Sequence, residues 1–308
     1  MRPLPLIVVL GPTAAGKTAL AIDLALRLGG EVISADAMAV YRDMDIGTAK
    51  PDATQLAQVP HHLVSVFPPE DRCDLQRWAD LAEAALADLH ARGRVPIVAG
   101  GSPLYVKALL EGLSAGAPRD PAVRAALDAR YAMEGGPALH AELARVDPAY
   151  ANQRHPNDQR RIVRALEVHA LTGRPYSAFH TTDGIRRPDL RPLLLGLAWD
   201  KEVLHRRIDQ RVRQMFAAGL VDEVRHLRQR LSPEAMQAVG YKEVTAHLDG
   251  CCSLDAARDQ VALATRHLAK HQATWYRRWP DITWLPGDDP ALADRAHTLA
   301  AAHLVAGG

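Results

Sequence analysis

The chain has 308 residues, which is enough for one large domain or two smaller ones. Hydrophobic residues make up 48% of it and charged residues 24%, a balance that excludes a disordered or repetitive chain. The formal net charge is only +1, yet residues 151–280 carry 22 Lys and Arg against 14 Asp and Glu, and the remainder carries 15 against 22. A basic segment of this kind is typical either of contact with a polyanion or of a solvated set of arginine-rich helices.

Three cysteines, Cys73, Cys251 and Cys252, form no disulfide or zinc pattern, which favours a reducing compartment. The apolar run at residues 6–10 is too short to span a membrane and passes directly into a glycine motif. We interpret it as a buried strand and not as a signal peptide. A cytoplasmic, monomeric protein without membrane contact is therefore expected.

The first hundred residues alternate strands with helices, which predicts an α/β fold with an open, mostly parallel sheet flanked by helices. The spacing of apolar residues predicts strands at 6–10, 31–35, 62–67 and 95–99, and helices at 19–28, 75–91 and 103–110.

From residue 116 the strand pattern stops, and residues 121–172 show helical spacing only. A strand at 193–198, helices at 201–218, 222–230 and 253–279, and a strand at 282–285 follow. This order predicts an inserted all-helical domain, residues 116–192, within a P-loop core made of residues 1–115 and 193–308.

A phosphate-binding loop is predicted at residues 11–18, where the sequence matches G-x-x-x-x-G-K-[ST] between an apolar strand and a helix. In such loops glycines allow backbone N–H groups to face an anion, the lysine contacts phosphate oxygens, and the last hydroxyl suits Mg²⁺. The predicted phosphate-binding residues are Gly11, Pro12, Thr13, Ala14, Ala15, Gly16, Lys17 and Thr18.

The loop alone does not say which phosphate compound binds. The strand at 95–99 runs into Gly100 and Gly101 without the carboxylate that a usual NTPase places there, which counts against an ATPase. Asp36 follows the second strand at the edge of the sheet where ligands bind. It is a candidate general base or Mg²⁺ partner, or alternatively the cap of a helix near residues 37–41.

Eight segments, in this order, resemble the tRNA dimethylallyltransferase family, also called the IPP transferase family, across nearly the whole chain. They are residues 11–18, 34–41 (SADAMAVY), 44–51 (MDIGTAKP), 60–63 (PHHL), 100–105 (GGSPLY), 155–158 (HPND) leading into 160–167, 240–243 (GYKE) and 264–275.

The resemblance implies that dimethylallyl diphosphate is the donor, Mg²⁺ the cofactor, and N6 of the adenosine 3′ of the anticodon in tRNA the acceptor. It implies catalytic roles for Asp36, Thr13 and Arg211, with Asp36 taking the proton from the amine. Thr18 is implied as the metal contact. A positioned base suits this reaction because an exocyclic adenine amine is a poor nucleophile.

The resemblance also implies contacts with tRNA, and it shows departures among them. The implied contacts are Asp36, Ala37, Met38, Ala39, Ser102, Arg124, Gln159, Arg160, Arg161, Ile162, Val163, Ala238, Val239, Gly240, Tyr241, Lys242 and Glu243. The family usually has Ser and Gln where this chain has Ala37 and Ala39, and Thr where it has Ser102. These substitutions bear on recognition of the base and not on the reaction.

Three further helices carry clustered arginines that suit contact with RNA phosphates or with unstacked bases. The clusters are Arg160, Arg161 and Arg164; Arg206, Arg207, Arg211 and Arg213; and Arg266, Lys270, Arg277 and Arg278. Trp275 and Trp279 are interpreted as core residues, and His267 and His271 as residues of a polar face. The competing interpretations are a P-loop kinase or ATPase, and a non-catalytic nucleic-acid binder.

Overall fold

Six strands and thirteen α-helices make up the part of the chain that the computed structural model describes, residues 3–113, 117–179 and 187–306. The strands are β1 (Leu4–Leu10), β2 (Gly30–Ser34), β3 (His61–His62), β4 (Val95–Ala99), β5 (Leu190–Ala198) and β6 (Ile282–Pro286). The helices are α1 (Lys17–Leu28), α2 (Ala53–Gln58), α3 (Leu75–Ala91), α4 (Pro103–Glu111), α5 (Pro121–Glu134), α6 (Gly136–Val146), α7 (Pro148–Ala151), α8 (Gln159–Thr172), α9 (Lys201–Ala217), α10 (Leu220–Leu227), α11 (Tyr241–Leu248), α12 (Leu254–Tyr276) and α13 (Leu292–Val305).

All six strands run parallel in one sheet with the order β3-β2-β4-β1-β5-β6. In β1, Ile7 pairs with Ile97 of β4 and with Leu193 of β5. Residues 6–10 of β1 are fully buried, because both faces of the sheet are covered and a central strand then exposes no side chain. The carboxyl ends of the strands lie along one edge, where open α/β sheets bind ligands. The predicted parallel α/β sheet is confirmed.

Helices α1 and α13 cover the face of the sheet that carries Ile7 and Ile97. Next to β2, the indole N–H of Trp78 on α3 donates to the carbonyl oxygen of Ser34 at 3.1 Å. The same indole stacks on Tyr105 of α4, with ring centroids 4.4 Å apart. These contacts fix the carboxyl end of β2, and with it the position of the residues that follow.

The turn after β4 brings two backbones into contact at Gly100. A Cβ atom at this position would lie 2.1 Å from the carbonyl oxygen of Ala35, so only glycine fits. Ala35 donates its N–H to Ala99 at 2.9 Å and accepts from the N–H of Ser102 at 3.1 Å. The ends of β2 and β4 are thereby joined beside Asp36.

The chain divides into two compact units, Met1–Leu110 with Arg187–Gly308, and Glu111–Arg186. The second unit, within its described residues, is helical and contains α5 to α8. It has a core of its own, to which Leu127, Leu139 and Ile162 contribute. Its buried Glu167 accepts hydrogen bonds from Arg124 (2.7 Å), Arg164 (2.8 Å) and the N–H of Asp120 (3.0 Å). Burial alone would raise the pKa of Glu167, and these bonds outweigh it and lower the pKa.

Several predicted boundaries are corrected by the structure. The predicted insertion extends to residue 192, but residues 190–192 pair with residues 4–6 of β1 and belong to β5. The predicted strand at 62–67 is reduced to β3, because Leu63 and Ser65 adopt positive φ angles of 62° and 54° that turn the chain. Residues 37–41 form turns and an isolated bridge instead of a helix.

Four helices were not predicted, namely α2, α7, α11 and α13. Two of them, α2 and α7, have no more than six residues, too few for a periodic signal. Residues 116 and 180–186 of the predicted insertion, and residues 114–115 of the predicted core, lie outside the described residues. Among the helices that are described, none combines the length and the apolar character that a membrane span requires.

Substitution of Gly100 by alanine should destabilise the first unit by about 3 kcal/mol, because the added methyl group would collide with the backbone of Ala35. Gly93 provides the control. It has a φ of +65° and no atom within 4 Å of a built Cβ, so Gly93→Ala should cost only about 1 kcal/mol. Urea unfolding measures both values, and equal midpoints would contradict the close approach at Gly100.

A buried carboxylate at the start of β2 supplies a second test. Glu31, with only 8% of its side chain exposed, accepts hydrogen bonds from Arg92 (2.6 and 3.0 Å) and contacts His62 Nε2 at 2.7 Å. The hydrogen bonds from Arg92 contribute most to lowering the pKa of Glu31 to about 2, burial opposes them, and His62 adds to the lowering.

Because the folded-state pKa of Glu31 is depressed, its contribution to stability is present above its ordinary pKa of 4.5 and is lost as the pH falls toward 2. Glu31→Gln should therefore cost about 1–3 kcal/mol at pH 7, and the difference from the wild type should narrow as the pH falls from about 4.5 to about 2. Urea unfolding at each pH measures it. A difference that stays constant with pH would show that the charge of Glu31 is not stabilising.

Candidate active site

The loop between β1 and α1 has an unusual backbone conformation. Gly11, Ala14 and Gly16 have φ angles of 147°, 63° and 97°, so three of its residues occupy a region that L-residues rarely adopt. The loop ends at Lys17, the first residue of α1. The first N–H groups of a helix have no partner within the helix and carry partial positive charge. Gly16, Lys17 and Thr18 therefore offer N–H groups to an anion.

Two side chains from the segment after β5 hold the carbonyl oxygens of this loop. The indole N–H of Trp199 donates to Ala15 at 2.9 Å, and the Nε of Arg207 on α9 donates to Ala14 at 2.8 Å. The guanidinium of Arg207 lies 4.2 Å from the centroid of the Trp199 ring. Arg207 was assigned to an RNA-facing cluster from the sequence, whereas in the structure it supports the loop.

A cavity of about 830 Å³ opens beside the loop within the first unit. Of the residues predicted for the site, those that line it are Thr13, Ala14, Ala15, Gly16, Lys17, Thr18, Asp36, Met38, Ala39, Arg211, Ala238 and Val239. Gly11, Pro12, Ala37, Ser102 and residues 240–243 are not in its lining. Sequence reasoning thus identified the loop, the carboxylate of Asp36 and the guanidinium of Arg211, which line the same cavity.

The cavity brings together the positive charges of Lys17 and Arg211, two half-buried side chains in its wall. The ammonium of Lys17 donates to the carbonyl oxygen of Pro12 at 2.8 Å. Burial lowers the pKa of Lys17 to about 8, Asp36 opposes this, and Arg211 adds to it. Burial also lowers the pKa of Arg211, Asp36 raises it, and Arg207 lowers it further. A bound anion would relieve this repulsion, so the cavity favours an anionic ligand.

Asp36 lies just beyond the carboxyl end of β2, half-buried in the wall of the cavity. Its Oδ1 accepts hydrogen bonds from the N–H groups of Met38 (2.9 Å) and Ala39 (3.2 Å). These bonds resemble those of a helix cap, although turns follow instead of a helix. The carboxylate is fixed in orientation by its own backbone, as a positioned base requires.

Gln272 of α12 was missed by sequence reasoning, yet it contacts the loop directly. It is 6% exposed, its Oε1 accepts the N–H of Thr13 at 2.8 Å, and its Nε2 donates to Gly101 at 2.8 Å. One signal could have identified it. Gln272 falls on the buried face of α12 between Ala269 and Tyr276, where a polar residue needs hydrogen-bond partners.

A second missed residue, Glu223 of α10, holds the segment that follows residue 44. Its carboxylate accepts the consecutive N–H groups of Asp45, Ile46 and Gly47 at 2.7–2.9 Å. It also accepts the phenolic hydroxyl of Tyr241 at 2.6 Å. The side chain of Tyr241 is fully buried and anchors Glu223, so only its backbone groups could reach tRNA, and the implied contact stays a prediction.

In the second unit, the implied tRNA contacts divide into exposed and buried residues. Gln159, Arg160 and Arg161 are exposed at the start of α8. Ile162 and Val163 are 0% and 2% exposed and belong to the core of the unit, so only their backbone groups could reach a ligand. Alternation between surface and core is expected when a helix has one apolar face.

The described residues contain no cluster of three or more His, Cys, Asp or Glu side chains that could hold a metal ion by themselves. His267 and His271 are exposed on α12, as a polar face requires. Thr18 is half-buried in the wall of the cavity beside Lys17. A metal at this site would therefore need oxygen ligands supplied by a bound anion and by water.

Comparison with known proteins gives matches along the chain. The model of the IPP transferase family matches residues 39–279, and that of the isopentenyl transferase family matches residues 4–63. A tRNA dimethylallyltransferase of Anaeromyxobacter dehalogenans is 49% identical over 94% of this chain and 98% of its own length. One of Geobacter sulfurreducens is 45% identical over 96% of this chain and 95% of its own.

Two solved structures share the fold. The tRNA isopentenylpyrophosphate transferase of Bacillus halodurans is 38% identical with a TM-score of 0.73, covering 98% of this chain and 97% of its own. A eukaryotic dimethylallyltransferase acting on tRNA is 28% identical with a TM-score of 0.82, covering 97% of this chain and 77% of its own. The matches extend over nearly the whole chain and agree with the site geometry: this chain belongs to the IPP transferase family.

Proposed function

We propose that this chain transfers the dimethylallyl group of dimethylallyl diphosphate to N6 of the adenosine 3′ of the anticodon in tRNA, with release of diphosphate. Family membership supports dimethylallyl transfer to tRNA. The observation that supports the chemistry is a single cavity lined by the glycine-containing loop before α1, two half-buried cations and a positioned carboxylate. The loop and the cations suit the diphosphate of the donor, and the carboxylate suits the amine of the acceptor.

The diphosphate of the donor binds the loop in this proposal. The N–H groups at the start of α1, the ammonium of Lys17 and the guanidinium of Arg211 surround the cavity from different elements. As the allylic carbon–oxygen bond breaks, negative charge accumulates on the leaving diphosphate. Cations that are already fixed in a buried site stabilise that charge without reorganisation, which lowers the barrier.

Asp36 acts on the amine in the same step. N6 attacks the allylic carbon, a carbon–nitrogen bond forms, diphosphate leaves, and a proton on the nitrogen passes to the carboxylate of Asp36. The bonds from Met38 and Ala39 engage Oδ1 and hold the side chain toward the cavity. Thr13 lines the same wall, which supports its proposed contact with the diphosphate.

Mg²⁺ fits this site as a cofactor that binds together with the diphosphate. Magnesium prefers oxygen ligands and is often held by one or two protein groups with substrate phosphates and water. Thr18 would supply a hydroxyl at the start of α1, and it lines the cavity beside Lys17. When bound, the ion would neutralise charge on the leaving diphosphate.

The acceptor base must leave its stack to reach Asp36. Enzymes that act on a base within folded nucleic acid extrude it into a pocket, and the cavity here is large enough for a base beside a diphosphate. The exposed residues at the start of α8, Gln159 to Arg161, are proposed to contact the tRNA backbone through two guanidinium groups.

Asp36→Asn is the first test of the reaction. The wild type should transfer label from dimethylallyl diphosphate to unmodified tRNA with Mg²⁺, and the variant should lose about 10²–10⁴-fold in kcat because the amide takes up no proton. Asp80→Asn, at an exposed position on α3, serves as the control and should keep full activity. Absence of label with the wild type, together with Mg²⁺-dependent ATP hydrolysis, would overturn the proposal in favour of a P-loop ATPase.

Lys17 gives a pH test of the diphosphate site. With a pKa of about 8, Lys17 loses its positive charge as the pH rises through 8, and the KM for dimethylallyl diphosphate should rise roughly tenfold by pH 9. Lys17→Arg retains the charge, so its KM should change far less between pH 7 and pH 9. Dividing the KM of the wild type by the KM of Lys17→Arg at each pH removes the effect of titration of dimethylallyl diphosphate itself. A ratio that is independent of pH would contradict the role of Lys17.

A further inference from the structure

We propose that Gln272 is a positioning residue for this reaction, which locks the phosphate loop and directs the diphosphate to the start of α1. The inference rests on the proposed function and adds a residue that acts through Thr13 and not on the substrate itself. Gln272 is buried, and its amide lies between the loop and the turn that follows β4.

The two hydrogen bonds of Gln272 fix the orientation of its amide. The backbone N–H of Thr13 can only donate and the carbonyl of Gly101 can only accept, so Oε1 must face Thr13 and Nε2 must face Gly101. A carboxylate would place an acceptor against the Gly101 carbonyl, and an apolar side chain would leave both backbone groups unpaired. Among side chains of this length only glutamine satisfies both groups.

This arrangement determines which loop N–H groups remain for the anion. The N–H of Thr13 is engaged by Gln272, and that of Ala15 donates to Pro12 at 3.3 Å. With these two N–H groups engaged, the ones at the start of α1, next to Lys17 and Thr18, are available to the diphosphate. Gln272 thus moves the anion site toward the helix end of the loop and holds Thr13 in the wall of the cavity.

Gly101 also packs closely against the amide of Gln272. A Cβ atom there would lie 2.4 Å from Nε2 of Gln272 and 3.6 Å from the ammonium of Lys17. The close fit places the amide, the turn after β4 and Lys17 in one packed group, although they are far apart in the sequence. A displaced amide would consequently disturb the loop beside Lys17.

Gln272→Leu tests the proposal, because leucine is of similar size and makes neither hydrogen bond. We expect the KM for dimethylallyl diphosphate to rise about tenfold and the Kd for inorganic pyrophosphate with Mg²⁺ to weaken about tenfold, with the KM for tRNA unchanged. Gln260→Leu, the same substitution at an exposed position on α12, should change none of these. Wild-type KM and pyrophosphate affinity in Gln272→Leu would overturn the proposal, as would an equal loss of affinity for tRNA.

A double-mutant cycle with Gly101 separates positioning from general loss of stability. Gly101→Ala alone should raise the KM for dimethylallyl diphosphate because its methyl group pushes the amide away. Gly101→Ala combined with Gln272→Ala removes the collision, and the double variant should be no worse than Gln272→Ala alone. If the increases in KM caused by the two single substitutions multiplied in the double variant, Gly101 and Gln272 would be acting independently, and the proposed coupling would be overturned.

Binding of inorganic pyrophosphate by calorimetry requires neither tRNA nor transfer. If the wild type transferred no label to tRNA, the proposed function would fail, and the pyrophosphate comparison would still decide whether Gln272 positions the anion site. If the wild type transfers label and Gln272→Leu binds pyrophosphate normally, the inference about Gln272 fails alone.

Discussion

The loop between β1 and α1 is held in a conformation that its own residues do not favour. Ala14 is not a glycine, and its φ of 63° costs about 1–2 kcal/mol in an L-residue. Hydrogen bonds from Arg207 to Ala14, from Trp199 to Ala15 and from Thr13 to Gln272 maintain the geometry from outside the loop. The segment after β5 and the long helix α12 are therefore parts of the site, not only a cover for the sheet.

Charge in the cavity imposes a second constraint. Placing partly buried cations beside one another raises the free energy of the ligand-free protein, in line with the lowered pKa values of Lys17 and Arg211. Asp36 offsets part of this repulsion, and a diphosphate would offset more. A site of this kind is less stable empty than filled, so anion binding should couple to stability.

The arginines of the second unit lie in two different environments. In the second unit, Arg124 and Arg164 bind the buried Glu167 and stabilise its helices. Arg160 at the start of α8 is exposed, and the exposed Arg161 pairs with Asp158 three residues earlier. A basic stretch of sequence therefore contains both structural and surface arginines, and the excess of positive charge between residues 151 and 280 does not measure the surface available to RNA.

The sequence by itself determined the features that depend on short stretches of chain. A glycine motif between an apolar strand and a helix predicts a turn with positive φ angles, and a carboxylate after a parallel strand must lie at the carboxyl edge of the sheet, where Asp36 and the loop line one cavity. Tertiary structure decided which polar side chains support that site. Gln272 lies 259 residues from Thr13 and Glu223 lies 178 residues from Asp45, so no local pattern could pair them. The burial of Ile162, Val163 and Tyr241 was likewise settled by packing, because the face that a helix turns inward depends on the neighbours that the fold places against it.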